Sequence, residues 1–213
     1  MAVEHIIDAG KRLDQLCLAP ATSGNYSMRT DDDAMAITVS GAHKGFLEKD
    51  YVMRANIDGA PLEDKKPSAE TLLHSVIYKI FPHVNAILHT HSVASTVLTR
   101  LSNDQALVLE GYEMLKAYPN INTHEIRIDL PVFNNTQDIT ALAQKVEKRL
   151  NNEPAFIIRA HGIYGWGEDM AEAMRVIEAT EMMLSCELHM KQIQSNERKN
   201  DNEQINSLSG YAA

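Results

Sequence analysis

Cysteine is scarce in this chain: two in 213 residues, Cys17 and Cys186. They lie far apart and form no CxxC pair. That excludes a disulfide framework and makes a reducing compartment the expectation. Both read as helix packing residues. Positive charge is scarce too. Twenty Lys+Arg stand against 29 Asp+Glu, a net charge of -9. A nucleic-acid binder needs a basic face to replace condensed counterions, so that class is excluded. A small anion is not, because a site can be locally positive on an acidic protein. No apolar run approaches the ~20 residues of a membrane helix. The first ten residues carry Glu4, His5 and Asp8 instead of a signal-peptide apolar core. The expectation is a soluble, cytoplasmic protein with neither nucleic acid nor membrane as partner. The phosphate-loop patterns GxxxxGK[ST] and GxGxxG are also missing, which disfavours a nucleotide-binding enzyme.

No internal repeat or Pro/Gly/Ser linker divides the chain, and its length fits one domain of ~100–200 residues. Hydrophobic residues make up 44%, enough for a core without disulfide or metal staples. Apolar spacing predicts helices over 3–17, from Ser68 to about 80, 93–101, 112–117, 136–150 and 169–194. It predicts strands over 25–28, 34–40, 51–57, 85–91, 106–109, 126–132, 155–159 and 163–166, with a turn at Asp31-Asp32-Asp33. Interleaved helices and strands define an α/β fold, a mixed sheet with helices on its faces. Residues 195–213 turn to Asn, Glu, Lys, Gln and Ser without apolar period and read as a polar C-terminal tail after a domain over 1–194.

Nine histidines are present, and three sit in patterns that carry chemistry. In Leu88-His89-Thr90-His91-Ser92, alternation along a strand points His89 and His91 to the same face. Two such imidazoles can close on one metal, although two histidines on a solvent-facing strand end give the same pattern. Phe156-Ile157-Ile158-Arg159-Ala160-His161-Gly162 ends a short apolar strand on a third histidine. It reads either as a strand-end residue satisfied locally or as the third ligand of an open catalytic site. Pro67-Ser68-Ala69-Glu70 reads as a serine N-cap with an acid in the first turn, or as a carboxylate reaching the metal site. Thr22-Ser23-Gly24-Asn25 and Ser40-Gly41-Ala42-His43-Lys44-Gly45 are two small polar turns. Their amides and hydroxyls can cradle a phosphate, with Lys44 adding a point charge. The remaining histidines read plainly: His5 and His189 on terminal helices, His74 on a helix near its apolar face, His83 and His124 in turns. His43 lies in the second polar turn.

In their order and spacing, these segments resemble the class II aldolase/adducin-head family over residues 1 to about 193. The resemblance implies a three-layer α/β/α fold with a central mixed, largely antiparallel sheet. It implies one zinc per subunit held by His89, His91 and His161, and a homotetramer with sites at subunit interfaces. A phosphorylated ketose is the implied substrate, its phosphate held by Ser23, Gly24, Asn25, Ser40, Gly41, Lys44 and Ser68. Three segments resemble the family's dehydratases: Leu109 to Lys116, Leu130-Pro131-Val132-Phe133-Asn134-Asn135, and the Ser40–Gly45 loop. By that resemblance Glu113 transfers protons, and Glu70 holds the position that acts as acid or base in the family's aldolases. The departures are Ala160, where Asn, Gly or Arg is more usual, and Tyr26 in place of a common Leu. A sugar-phosphate aldolase or epimerase of the fuculose, rhamnulose or ribulose phosphate type is the alternative. A non-catalytic scaffold like the adducin head is disfavoured by the three histidines and two glutamates. Fe, Ni, Co or Mn could replace zinc in such a ligand set.

Overall fold

The computed structural model describes residues 1–31 and 33–209, with side chains up to residue 199. Asp32, the middle of the expected Asp31-Asp32-Asp33 turn, lies outside the described residues. Eight strands make one sheet in the order β3-β2-β1-β4-β8-β7-β6-β5. They are β1 (Asn25–Asp31), β2 (Ala34–Thr38), β3 (Val52–Asn56), β4 (Ala86–Thr90), β5 (Ala106–Glu110), β6 (Arg127–Phe133), β7 (Ala155–Ile158) and β8 (Gly162–Gly167). Among the described residues only β6 and β7 pair parallel; every other neighbouring pair is antiparallel. The expected mixed, largely antiparallel sheet is therefore present.

Both faces of this sheet are covered, which explains why β2, β4, β7 and β8 read as continuous apolar runs rather than alternating ones. On one face, α1 (Ala2–Gln15), α3 (Val93–Arg100) and α5 (Met170–Ser209) bury Ile6, Leu13, Leu98, Ile177 and Leu184 against Tyr26, Leu88, Ile157 and Ile163. On the other, α2 (Thr71–Ile80) and α4 (Ile139–Arg149) bury Leu73, Ile77, Leu142 and Val146 against Ile37, Ile87, Phe156 and Tyr164. Adjacent residues of β4 and β7 thus feed opposite cores, as a period of two requires.

Three expectations need correction. The helix expected from Ser68 begins at Thr71, with Glu70 at the capping position and no side-chain cap. The Ser68 hydroxyl instead accepts the Glu70 N–H at 3.3 Å, and the Thr71 N–H bonds the Ser68 carbonyl at 3.2 Å. That local turn ties Ser68 to a segment the helix does not include. Cys17 does not pack inside a helix: it follows α1, is exposed, and has a left-handed φ of 58°. Finally, the helix expected to stop at 194 continues to Ser209. Glu, Lys, Arg and Gln have high helix propensity, and the next glycine is Gly210. An amphipathic stripe is not needed to continue a helix already nucleated by packing. Residues 210–213 of the expected tail lie outside the described residues.

Candidate metal centre and active site

The triad forms where three central strands meet. β4 carries His89, and His91 follows it directly. β7 and β8 are joined by the turn Arg159–His161. The Nε2 atoms of His91 and His89 stand 3.0 Å apart, and those of His89 and His161 3.3 Å apart. One nitrogen from each ring lies within 4.8 Å of the others. Three nitrogens ~2.0–2.1 Å from a tetrahedral zinc stand about 3.3–3.4 Å apart, so the donor set fits such an ion. The His89 ring is prepared for it. His89 Nδ1 lies 3.0 Å from the Ile163 carbonyl. A carbonyl can only accept, so Nδ1 carries the proton and Nε2 presents its lone pair. Tyr164 stacks on the His89 ring at 4.1 Å and 13°, fixing its plane. Burial lowers the His89 pKa to about 4. Burial, reinforced by the neighbouring imidazoles, lowers that of His91 to about 3. Neutral imidazole is the ligating form. Thr90, between the two histidines, turns the other way, and its hydroxyl meets Glu181 at 3.4 Å.

The turn that brings His161 in is strained and held. Ala160 has a φ of 54°, a conformation that costs an alanine ~1–2 kcal/mol. This explains why Gly or Asn would suit the position better. Its N–H donates to Thr99 Oγ1 at 2.9 Å. The Arg159 guanidinium donates to the Thr99, Ser102 and Asp104 carbonyls and to Asn134 Oδ1. The turn is thereby anchored to the end of α3. Gly162 allows the close approach of β8 to β4. A Cβ there would collide with the Thr90 carbonyl and stand 2.9 Å from His89 Cε1. Gly162→Ala is expected to lower stability by about 1–3 kcal/mol through overpacking and to weaken metal binding. Denaturant melts with metal titration check it; unchanged values would mean that the strands do not meet this closely.

Glu70 joins the triad. Its carboxylate oxygens lie 3.3 Å from His89 Nε2 and 3.4 Å from His161 Nε2. Asn25 Nδ2 donates to Glu70 Oε2 at 2.8 Å. Burial pushes the Glu70 carboxyl up, but the charge that His89 and His161 carry when protonated and the Asn25 hydrogen bond outweigh it and hold the pKa below the usual value. Asn25 is placed by register, directly opposite His89 in the β1–β4 ladder. Gly24 has a φ of 79°, and a Cβ there would stand 2.6 Å from the His89 carbonyl. Glycine is required at that contact. The sequence marks His74 only as a helix residue near an apolar face. It is fully buried and bonded to Asn25 and Ser27. Its spacing of four from Glu70, one helical turn beyond the capping position, is the signal available.

The two polar turns come together beside this cluster. Lys44 Nζ donates to the Thr22 carbonyl at 2.9 Å and the Ala42 carbonyl at 2.5 Å, linking the first turn to the second. Ser40 N–H bonds the Lys66 carbonyl at 3.1 Å, and Val39 bridges Pro67, which brings Ser40-Gly41 to the Ser68 segment. The Ser23 hydroxyl is buried without a partner among the described residues. Lys44 is a bridge as much as a point charge: two of its three ammonium donors are committed to carbonyls. Burial lowers its pKa to about 8. Between pH about 8 and 10.5 the unfolded chain keeps a proton that the folded chain has released. Stability therefore rises with pH across that window through this group. Wild type should gain on Lys44→Met from pH 8 to 10, as read by chemical denaturation at several pH values. A constant difference would contradict the burial.

Glu113 is not brought to the cluster. It lies in a 3-10 turn over Glu113–Ala117, its side chain exposed and paired with Lys116 at 2.5 Å and His124 at 3.5 Å. The Lys116 hydrogen bond lowers its pKa. The strand leading to it, β5, stands four places from β4 in the sheet, roughly 19 Å at the usual strand spacing.

This sheet, with a histidine triad and a partly buried glutamate at one end of its central strands, defines a class. The description Class II Aldolase and Adducin N-terminal domain matches residues 4–188, and the chain belongs to that family. A relative from Marinobacter nauticus named methylthioribulose-1-phosphate dehydratase is 49% identical over 197 residues, covering 90% of this chain and 95% of that protein. A Hahella chejuensis protein of the same name is 50% identical over 200 residues, covering 92% and 96%. Among solved structures, the l-fuculose-1-phosphate aldolase of Thermus thermophilus superposes with a TM-score of 0.74 at 22% identity, over 90% of this chain and 95% of that one. That likeness concerns the fold alone. No described helix is long and apolar enough to cross a membrane.

Proposed function

We propose that this protein removes water from 5-methylthioribulose 1-phosphate to give 2,3-diketo-5-methylthiopentyl 1-phosphate, a step of methionine salvage, in the cytoplasm. The observation that carries this is near-50% identity to dehydratases along almost their whole length, supported by three histidines that lie close enough together to hold a metal ion. One zinc per subunit, held by His89, His91 and His161, would supply a Lewis acid for the C2 carbonyl, which acidifies the C3 hydrogen.

The remaining chemistry belongs to side chains. A carboxylate takes the C3 proton. The C4–O bond breaks, a proton is delivered to the departing hydroxyl, water leaves, and the resulting enol becomes the 2,3-diketone. We assign these transfers to Glu113, with Glu70 as the acid/base group beside the metal ligands. Because Glu113 stands apart from the triad of its own subunit, we assign it to the site of a neighbouring subunit. This supports a homotetramer with shared sites. The phosphate lies among Ser23, Gly24, Asn25, Ser40, Gly41, Lys44 and Ser68. There turn amides, the unpartnered Ser23 hydroxyl and the third Lys44 donor face an anion on an otherwise acidic protein. Asn25 contributes backbone and one amide hydrogen, since the rest of its side chain serves Glu70 and His74.

The test is an assay of the purified protein with 5-methylthioribulose 1-phosphate, with and without a chelator. Chelator-sensitive diketone formation is the expected result. Cleavage of fuculose 1-phosphate with no action on the methylthio substrate would establish the aldolase alternative.

A further inference from the structure

Behind Glu70 runs a buried polar chain of which the dehydration chemistry above uses only Asn25. Tyr78, Ser27, His74 and Asn25 are 2%, 0%, 0% and 3% exposed. Tyr78 Oη lies 2.8 Å from Ser27 Oγ, and Ser27 Oγ lies 2.7 Å from His74 Nδ1. His74 Nε2 meets Asn25 Oδ1, and Asn25 Nδ2 meets Glu70 Oε2 at 2.8 Å. Buried polar groups cost free energy unless satisfied, and here five residues from α2, β1 and the capping position of α2 satisfy one another in sequence.

The direction of every bond follows from one end. The Asn25 amide turns its NH₂ toward Glu70 Oε2 and its oxygen toward His74 Nε2. An amide oxygen only accepts, so His74 carries its proton on Nε2. The neutral ring then has a bare Nδ1, which accepts from the Ser27 hydroxyl. Ser27, having donated, accepts from Tyr78. Burial favours the neutral ring that this scheme needs. All four donors point the same way, toward Glu70, and each bond polarises the next.

We propose that His74 is a positioning residue: through Asn25 it holds the Glu70 carboxylate at the end of a one-way hydrogen-bond chain that begins at Tyr78. This rests on the reading of Glu70 as the acid/base group of the site. Glu70 Oε2 takes the Asn25 hydrogen bond, which fixes the rotation of the carboxylate and leaves Oε1 toward His161. Asn25 cannot do this alone, because an amide free to rotate could offer Glu70 its oxygen instead. The His74 N–H prevents that flip.

Two substitutions separate positioning from mere packing. The amide of His74→Gln can reach the place of Nε2 and donate to Asn25. The amide of His74→Asn reaches only the place of Nδ1 and leaves Asn25 unheld. His74→Asn is expected to lower kcat ~10–100-fold, the usual scale for a supporting hydrogen bond, with KM changed less than about twofold and metal content unchanged. His74→Gln should recover most of that loss. In a Glu70→Gln background, His74→Asn should cost almost nothing further, because the group it positions is already gone. Equal losses in the Asn and Gln variants, or a loss that adds fully to that of Glu70→Gln, would overturn the proposal, and so would a fully active Glu70→Gln. Nitrogen NMR of isotope-labelled histidine tests the chain whatever the substrate. His74 should carry its proton on Nε2 and keep it there across neutral pH. A proton on Nδ1 would reverse the chain and end the proposal even in a fully active enzyme, and a protein inactive on the methylthio substrate can still be judged by this signal.

Discussion

Replacing His91 with alanine is expected to abolish metal binding and turnover together. His89 and His161 would remain, with Nε2 atoms 3.3 Å apart, but two imidazoles and water make a poor zinc site compared with three. The loss is chemical more than structural. His91 is only partly buried, and its backbone N–H keeps its bond to the Leu18 carbonyl at 2.9 Å after truncation. Turnover should fall at least ~10³-fold, since the carbonyl loses its main source of charge stabilisation. Metal analysis of the purified variant should read near zero where the wild type reads one per subunit. The thermal midpoint of the wild type should fall with chelator, while that of His91→Ala should not respond. Retained zinc with full turnover would remove His91 from the site.

Glu113→Gln should do the opposite to the metal and the same to the reaction. Its side chain is exposed and touches Lys116 and His124, not the triad. Zinc content and folding should therefore match the wild type. Loss of a positioned proton-transfer group costs typically ~10²–10⁴-fold in rate, and kcat should carry the loss. The distance from the triad adds a sharper expectation. If Glu113 serves a neighbour, an inactive Glu113→Gln subunit still owns an intact triad, and an inactive His91→Ala subunit still owns an intact Glu113. Co-refolding the two in equal amounts should restore activity to about a quarter of wild type, the share of sites that draw both good parts from opposite subunits in a cyclic assembly. Mixed oligomers as dead as their parents would place Glu113 and the triad in the same subunit's site, or Glu113 in none.

The sequence made the candidate metal site legible because a strand has a fixed period. Two residues apart means the same face, so His89 and His91 could be paired without coordinates. The small polar turns were legible as turns, and only the structure shows that Gly24 and Gly41 in them take left-handed φ values of 79° and 78°. Less visible was the helix start after Pro67. A serine followed by an acid suggests a cap, but Ser68 bonds within its own turn and Glu70 is drawn toward the histidines. The role of His74 is hidden in the sequence for a related reason. A histidine beside apolar helix residues has many bland explanations, and its partners Asn25 and Ser27 lie 49 and 47 residues away in the chain.

Sequence alone thus determined what short-range periodicity encodes: the order of helices and strands, the faces that face the core, and the types of residue available for a metal and an anion. Tertiary structure decided which of those residues share a place. The β1–β4 ladder sets Asn25 opposite His89, the β7–β8 turn swings His161 in, and Lys44 ties two turns into one cradle. It also left Glu113 outside, although the sequence resemblance put it at the centre of the chemistry. The physical reason is that contacts between distant segments depend on strand order and register. Neither is written in the local pattern, since many pairings bury the same apolar faces equally well.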